Sequence, residues 1–98
     1  MKKSTFYENA RNDLTGPLSG VRVVEATTTW AGPMVGCVLA DLGADVLKVE
    51  HPNGELSRNF RPQIPDSELN VAHETVNRNK QNLSLDLKHP KGKDIFLK

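Results

Sequence analysis

A chain of 98 residues, 37% hydrophobic and 26% charged with a formal net charge of +1, has room for one small domain or part of a larger one and the composition of an ordinary globular protein. That balance excludes a disordered tail and the strong field of a nucleic-acid or membrane-surface binder, and no stretch reaches the roughly 20 apolar residues of a membrane span. Lys2 and Lys3 lack the apolar run of a signal peptide, and a single cysteine, Cys37, permits no internal disulfide, so a reducing cytoplasm is the expected setting.

Met1 to Gly16 is polar and aperiodic. It reads as a leader or a short helical arm around Phe6 and Tyr7, set off from residues 17–98 by the turn signals Gly16-Pro17 and Ser19-Gly20. The short β-branched run Val21 to Ala26 predicts a strand. The polar run Thr27-Thr28-Thr29 follows, then Trp30-Ala31-Gly32. Pro33 suits the first position of a helix, predicted to run to about Leu42 and to stop at Gly43 in a left-handed conformation. Cys37 lies among apolar neighbours and reads as a small buried residue rather than a nucleophile, since no basic partner is near in sequence. Asp45 to Glu50 predicts a second strand. Strand, helix and strand make a βαβ unit, whose strands pair in parallel through a right-handed crossover. The fold class is therefore α/β.

His51 to about Asn70 carries Pro52, Gly54, Pro62 and Pro65 and predicts a long loop, a length often kept for function. Arg58 and Arg61 fall within it, and Lys88, Lys91 and Lys93 form a second basic stretch. Such runs are ordinarily solvated faces; an anionic ligand is the sharper reading. Val71 to Val76 fits neither helix nor strand clearly. Asn82 to Leu87 alternates, with Leu83, Leu85 and Leu87 on one face, and predicts a third strand. Pro90 opens another helix, whose Ile95, Phe96 and Leu97 come just before Lys98. The pattern stops inside that helix, and the expectation is a longer protein.

The turn after the first strand is where a dinucleotide fingerprint would lie, with glycines that let the backbone approach a pyrophosphate. Here Thr27 to Gly32 holds one glycine, and Trp30 occupies the approach, so dinucleotide binding of that kind is not expected. Ligands of open α/β sheets still gather at the carboxyl ends of strands, and Thr27 to Ala31 and His51 both lie just past predicted strand ends.

Several segments, in order and at matching spacing from Pro17 to Lys98, carry a family resemblance. Pro17-Leu18-Ser19-Gly20-Val21-Arg22-Val23-Val24-Glu25 resembles the opening "PLxGxRVLD" of family III coenzyme A transferases. Ala31-Gly32-Pro33 followed by Leu39-Ala40-Asp41-Leu42-Gly43-Ala44-Asp45-Val46-Leu47-Lys48-Val49-Glu50 resembles "AGP…LADLGADVIKVE". Pro52-Asn53-Gly54-Glu55-Leu56-Ser57-Arg58 is similar to "PxGDxxR". Asn77-Arg78-Asn79-Lys80, Leu85-Asp86-Leu87-Lys88 and Pro90-Lys91-Gly92-Lys93 are similar to "NRGKRSvxLDLKxPeGr".

The resemblance implies that residues 17–98 open the Rossmann-like large domain of an enzyme that moves coenzyme A between an acyl-coenzyme A and a carboxylic acid. It implies an interlocked homodimer, coenzyme A as substrate rather than as a permanently bound cofactor, and no metal, nucleic acid or membrane partner. By motif position, Thr29, Trp30 and Ala31 would line coenzyme A near its thioester. His51, in place of the arginine many members carry, would lie near the nucleotide end with Leu85 and Lys88, and Arg58 would occupy the arginine of the "GDxxR" motif. Lysine suits a phosphate as a point charge, and Leu85 offers an apolar surface to adenine. Without the resemblance each of these would read as a loop, core or surface residue. The family's nucleophile is an aspartate that forms a mixed anhydride. It falls beyond Lys98, so no residue here is nominated as catalytic; Asp41, Asp45 and Asp86 occupy structural motif positions. Two alternatives remain: a racemase of acyl-coenzyme A from the same family, and a noncatalytic coenzyme A-binding or subunit-association module.

Overall fold

A computed structural model describes residues 2–60, 64–67 and 69–98; Arg61 and Pro62 lie outside the described residues. Three strands, β1 (Arg22–Glu25), β2 (Asp45–Glu50) and β3 (Gln81–Ser84), form a parallel sheet in the order β1-β2-β3. Arg22 pairs with Asp45 at the start of the first ladder, and Glu50 pairs with Ser84 at the end of the second. The expected βαβ unit is present: strands β1 and β2 are parallel neighbours, joined by a helix.

That helix, α2, spans Ala31–Asp41 and starts two residues before Pro33. The first turn of a helix has no internal use for its N–H groups, so proline is tolerated slightly inside it. Gly43 follows the helix with φ +98°. A Cβ there would lie 2.5 Å from the Thr15 carbonyl oxygen, so this glycine serves both the left-handed turn and the close approach of the segment before β1. A short helix, α1 (Lys3–Glu8), forms the arm. Its Phe6 ring lies 5.2 Å from the guanidinium of Arg22, a cation–π distance, and ties the arm to β1.

Two segments differ from the sequence reading. Val71–Asn77, which showed no clear period, is a helix, α3. It is capped by Asn70, whose side chain accepts from the His73 N–H at 3.2 Å, and it buries His73 and Val76. The third strand ends at Ser84 rather than Leu87. The Leu85 N–H makes the last ladder bond, to the Glu50 carbonyl at 2.8 Å; β2 then ends before Pro52, so nothing remains for Asp86 and Leu87 to pair with. The last helix, α4 (Pro90–Phe96), is capped by His89 Nδ1, which accepts from the Lys91 N–H at 3.2 Å, and closes with Leu97 at its C-cap.

Helix α2 lies on β1 and β2, and α3 packs on α2. Beneath them Ala40, Ala44 and Val46 form a small apolar core with Leu18, Val21, Val23 and Leu39. Cys37 is fully buried, its Sγ 3.7 Å from the Thr75 carbonyl of α3, as its neighbours suggested. On the opposite face Val24, Leu47, Val49, Leu83 and Leu85 line an apolar groove, flanked by Phe6, Ile95 and Phe96. Among the described residues no helix is long and apolar enough to cross a membrane.

Candidate functional site

Toward the carboxyl ends of the strands the covered face changes from apolar to ionic. Lys48, on the central strand, is 1% exposed. Its Nζ donates to Glu25 Oε1 at 2.9 Å and to the Thr27 carbonyl at 3.1 Å. Lys80 Nζ lies 2.7 Å from Glu25 Oε2. Lys80 Nζ also donates to the Pro33 carbonyl at 2.7 Å and to Asn77 Oδ1 at 3.0 Å. Burial lowers the pKa of Lys80, and Glu25 works against that shift. The absence of a side chain at Gly36 makes room for this group: a Cβ there would sit 1.9 Å from Glu25 Oε2.

A second network surrounds Glu50 and Glu55, which are 6% and 4% exposed. Glu50 accepts from Arg58 Nε, from Arg58 Nη2 at 2.8 Å, from the Asn82 amide and from the Glu55 N–H at 2.6 Å. Glu55 caps a 3-10 turn at Leu56–Asn59. It accepts from the Ser57 hydroxyl and N–H and from the Thr29 N–H. Burial pushes its pKa up, but these donors and Lys48 outweigh burial and hold it below the ordinary carboxylate value. His73 Nδ1 lies 2.9 Å from Ser57 Oγ and 3.3 Å from Glu55 Oε2. Serine, histidine and glutamate are the residue types of a hydrolytic triad. Here, however, Ser57 is fully buried and the glutamate bonds directly to the serine, so the group can hold structure but cannot reach a substrate.

These networks carry the edge of a cleft of about 250 Å³. Its lining comes from the ends of all three strands: Ala26, Thr27 and Thr28 after β1, Val49 to His51 at β2, and Leu85 to Lys88 after β3, with Gly54, Glu55 and Leu56 alongside. Val49, Leu56, Leu85 and Leu87 make the lining largely apolar, and Lys88 and His51 bring basic side chains to it. His51 Nδ1 accepts from the Asn53 N–H at 3.1 Å; in the neutral ring that leaves the proton on Nε2 as a donor. Such a cleft suits a ligand with a flat or chain-like apolar part and an anionic group.

The structure thus brings together three of the residues nominated from sequence, His51, Leu85 and Lys88. Thr29, Trp30 and Ala31 continue directly from Thr28 but are not in the lining; Trp30 is 44% exposed and caps α2. Thr29 has φ +72°, a conformation that costs an L-residue roughly 1–2 kcal/mol and is an outlier for a β-branched one. Arg58 stands outside the cleft, its guanidinium committed to Glu50. Thr28 falls in the Thr27 to Ala31 turn that the sequence placed past a strand end, whereas Leu56, Leu87 and the Glu50–Glu55 network behind them were not singled out. The visible signal was Asn70 three residues before His73, an N-cap pattern that places His73 on a helix.

A sequence profile described as "CoA-transferase family III" matches residues 18–98. The chain is 43% identical over 84 residues to the succinyl-CoA–L-malate CoA-transferase beta subunit of Chloroflexus aurantiacus, covering 84% of this chain and 20% of that protein. It is 44% identical over 82 residues to the succinate–glutarate CoA-transferase of Agrobacterium fabrum, covering 78% of this chain and 20% of the relative. The crystal structure of a CAIB/BAIF family protein from Brucella suis superposes with a TM-score of 0.75 at 36% identity, over 83% of this chain and 22% of that one. The chain spans about a fifth of the length of the curated relatives it matches.

Proposed function

Since the chain belongs to family III of the coenzyme A transferases, we propose that it forms one wall of an acyl-coenzyme A site in a longer enzyme that transfers coenzyme A between carboxylic acids. The observation that carries this reading is the convergence of His51, Leu85 and Lys88 on one cleft at the carboxyl ends of three parallel strands. In this reading Leu85, with Val49 and Leu87, packs against adenine, while Lys88 and the His51 Nε2–H meet phosphate oxygens. The Thr27–Ala31 turn, with Trp30 at the helix start, runs toward the thioester. Arg58 contributes through Glu50, by fixing the carboxylate at the back of the cleft.

The catalytic step itself is assigned to a carboxylate supplied from outside these residues. It attacks the thioester carbonyl, the coenzyme A thiolate leaves, and a mixed anhydride forms. The carboxylates nearest in sequence to the family motifs have other partners. Asp41 accepts from Arg78 at 2.6 Å and from Asn79 at 2.8 Å. Asp45 is buried beside Arg22 at 3.6 Å, and Asp86 accepts from the Lys88 N–H at 2.9 Å.

Both relatives named above carry dicarboxylic acids in their names, so the test uses them. The complete gene product is incubated with succinyl-coenzyme A and a panel of dicarboxylic acids, and new thioesters are read by mass. Transfer to at least one acid is expected. Racemisation of a 2-methylacyl-coenzyme A without transfer, or coenzyme A binding without either reaction, would replace this reading with the racemase or the binding module.

A further inference from the structure

We infer that Glu55 is a positioning residue of the proposed coenzyme A site, an inference that rests on the preceding reading: its carboxylate holds Thr29 in the left-handed conformation and so sets the course of the β1–α2 turn beside the cleft. Thr28 lines the cleft and α2 begins at Ala31, so the path between them is set by the backbone of Thr29 and Trp30. A β-branched residue leaves the left-handed region unless its surroundings hold it there. The Thr29 N–H donates to Glu55 Oε1, across 26 residues of chain. Two residues earlier, the Thr27 carbonyl accepts from Lys48 Nζ at 3.1 Å. The turn is thus held at one end by a buried cation on a carbonyl and at the other by a buried anion on an N–H.

Glu55 is itself fixed. Its N–H donates to Glu50 Oε1 at 2.6 Å, and its carboxylate accepts from the Ser57 hydroxyl and from the Ser57 N–H at 3.2 Å. His73 Nδ1 stands 3.3 Å from Oε2. His73 lies on α3, which packs on α2. A continuous set of contacts therefore runs from the buried side of α3 through Glu55 to the turn. None of Glu55, Ser57 or His73 needs to touch the ligand for the ligand to depend on them.

Glycine adopts a positive φ without steric penalty, so Thr29→Gly should make the clamp unnecessary. The experiment is a double-mutant cycle in the complete gene product, Glu55→Gln against Thr29→Gly, with coenzyme A titrated calorimetrically. Glu55→Gln keeps the side-chain shape and removes the charge. With Thr29 present it should weaken coenzyme A binding about tenfold, the scale of one charge-assisted hydrogen bond. In the Thr29→Gly background the same change should cost less than about threefold, because the two residues act on one element. Equal losses in both backgrounds, or no loss in either, would overturn the inference. Should Glu55→Gln fail to fold, Glu55→Asp keeps the charge, withdraws the oxygen from Thr29 and completes the same cycle. Amide hydrogen exchange at Thr29 needs no ligand: the wild-type amide should be protected and the Glu55 variant's faster. A wild-type protein that ignores coenzyme A but shows this protection would sink the coenzyme A reading and keep the clamp; a freely exchanging wild-type Thr29 amide would sink the clamp.

Discussion

Glu50, which the sequence marks only as the end of a strand, is an anchor in the fold. The hydrogen bond from Arg58, opposed by burial and reinforced by Asn82 and the Glu55 N–H, draws its pKa from 4.5 down to about 2. The unfolded chain therefore takes up this proton near the ordinary value, while the folded chain resists until about pH 2. Across that window the unfolded state binds more protons, so stability present above pH 4.5 is lost as the pH falls. Urea midpoints measured from pH 5 to pH 2 should fall steeply for the wild type and less steeply for Glu50→Gln; parallel curves would remove Glu50 as the source. Lys88 gives the matching prediction for the ligand. It lines the cleft from an exposed loop, so Lys88→Ala should leave the fold intact and weaken coenzyme A by about 1–3 kcal/mol. Unchanged affinity in calorimetry of the complete protein would take Lys88 out of the site.

Helix α2 illustrates what an element's sequence discloses and what it conceals. Pro33 and Gly43 mark its ends closely, and the β-branched runs on either side make the βαβ unit legible, because strand, helix and turn chemistry all agree there. The interior is different. Gly36 reads as a weak point in a helix, worth about 1 kcal/mol against alanine by propensity alone, so sequence logic favours Gly36→Ala. The structure reverses the sign, since the added methyl would occupy the place of Glu25 Oε2. Displacing that carboxylate leaves Lys48 and Lys80 buried without their counter-ion, a loss of about 3–5 kcal/mol. Gly36→Ala should therefore lower stability by about 2–4 kcal/mol net, read from the urea midpoint, and a stabilised variant would show that Glu25 has another way to sit. The buried charges escaped sequence reading for the same reason. The run Asp45 to Glu50 does not separate polar from apolar residues by alternation, and Lys48 and Glu50, which point to the covered face, find charged partners 23 and 8 positions away, in Glu25 and Arg58. Helix α3 was missed because its seven residues are mostly polar and its buried face consists of His73 and Val76, too short a run for a period to emerge.

At the scale of the whole molecule, the two faces of the sheet are unequal. Helix α2 covers one, while the other presents the groove of Val24, Leu47, Val49, Leu83 and Leu85, with Val24 40%, Leu83 37% and Ile95 55% exposed. Parallel sheets are stable when helices cover both faces, and apolar surface left open favours association. The proposed mechanism also places its carboxylate nucleophile outside these residues, and a covalent route without its nucleophile loses the step that forms the anhydride. The 98-residue chain by itself should therefore bring neither a complete sheet nor a complete reaction. Purified alone, it should self-associate in sedimentation velocity as its concentration rises, and Val24→Lys with Leu83→Lys should shift it toward the monomer by placing charge on the open face. It should also show no transfer of coenzyme A from succinyl-coenzyme A to any acid of the panel. Turnover above a blank that survives further purification would place the catalytic group inside residues 1–98, among the carboxylates assigned here to ion pairs and turns.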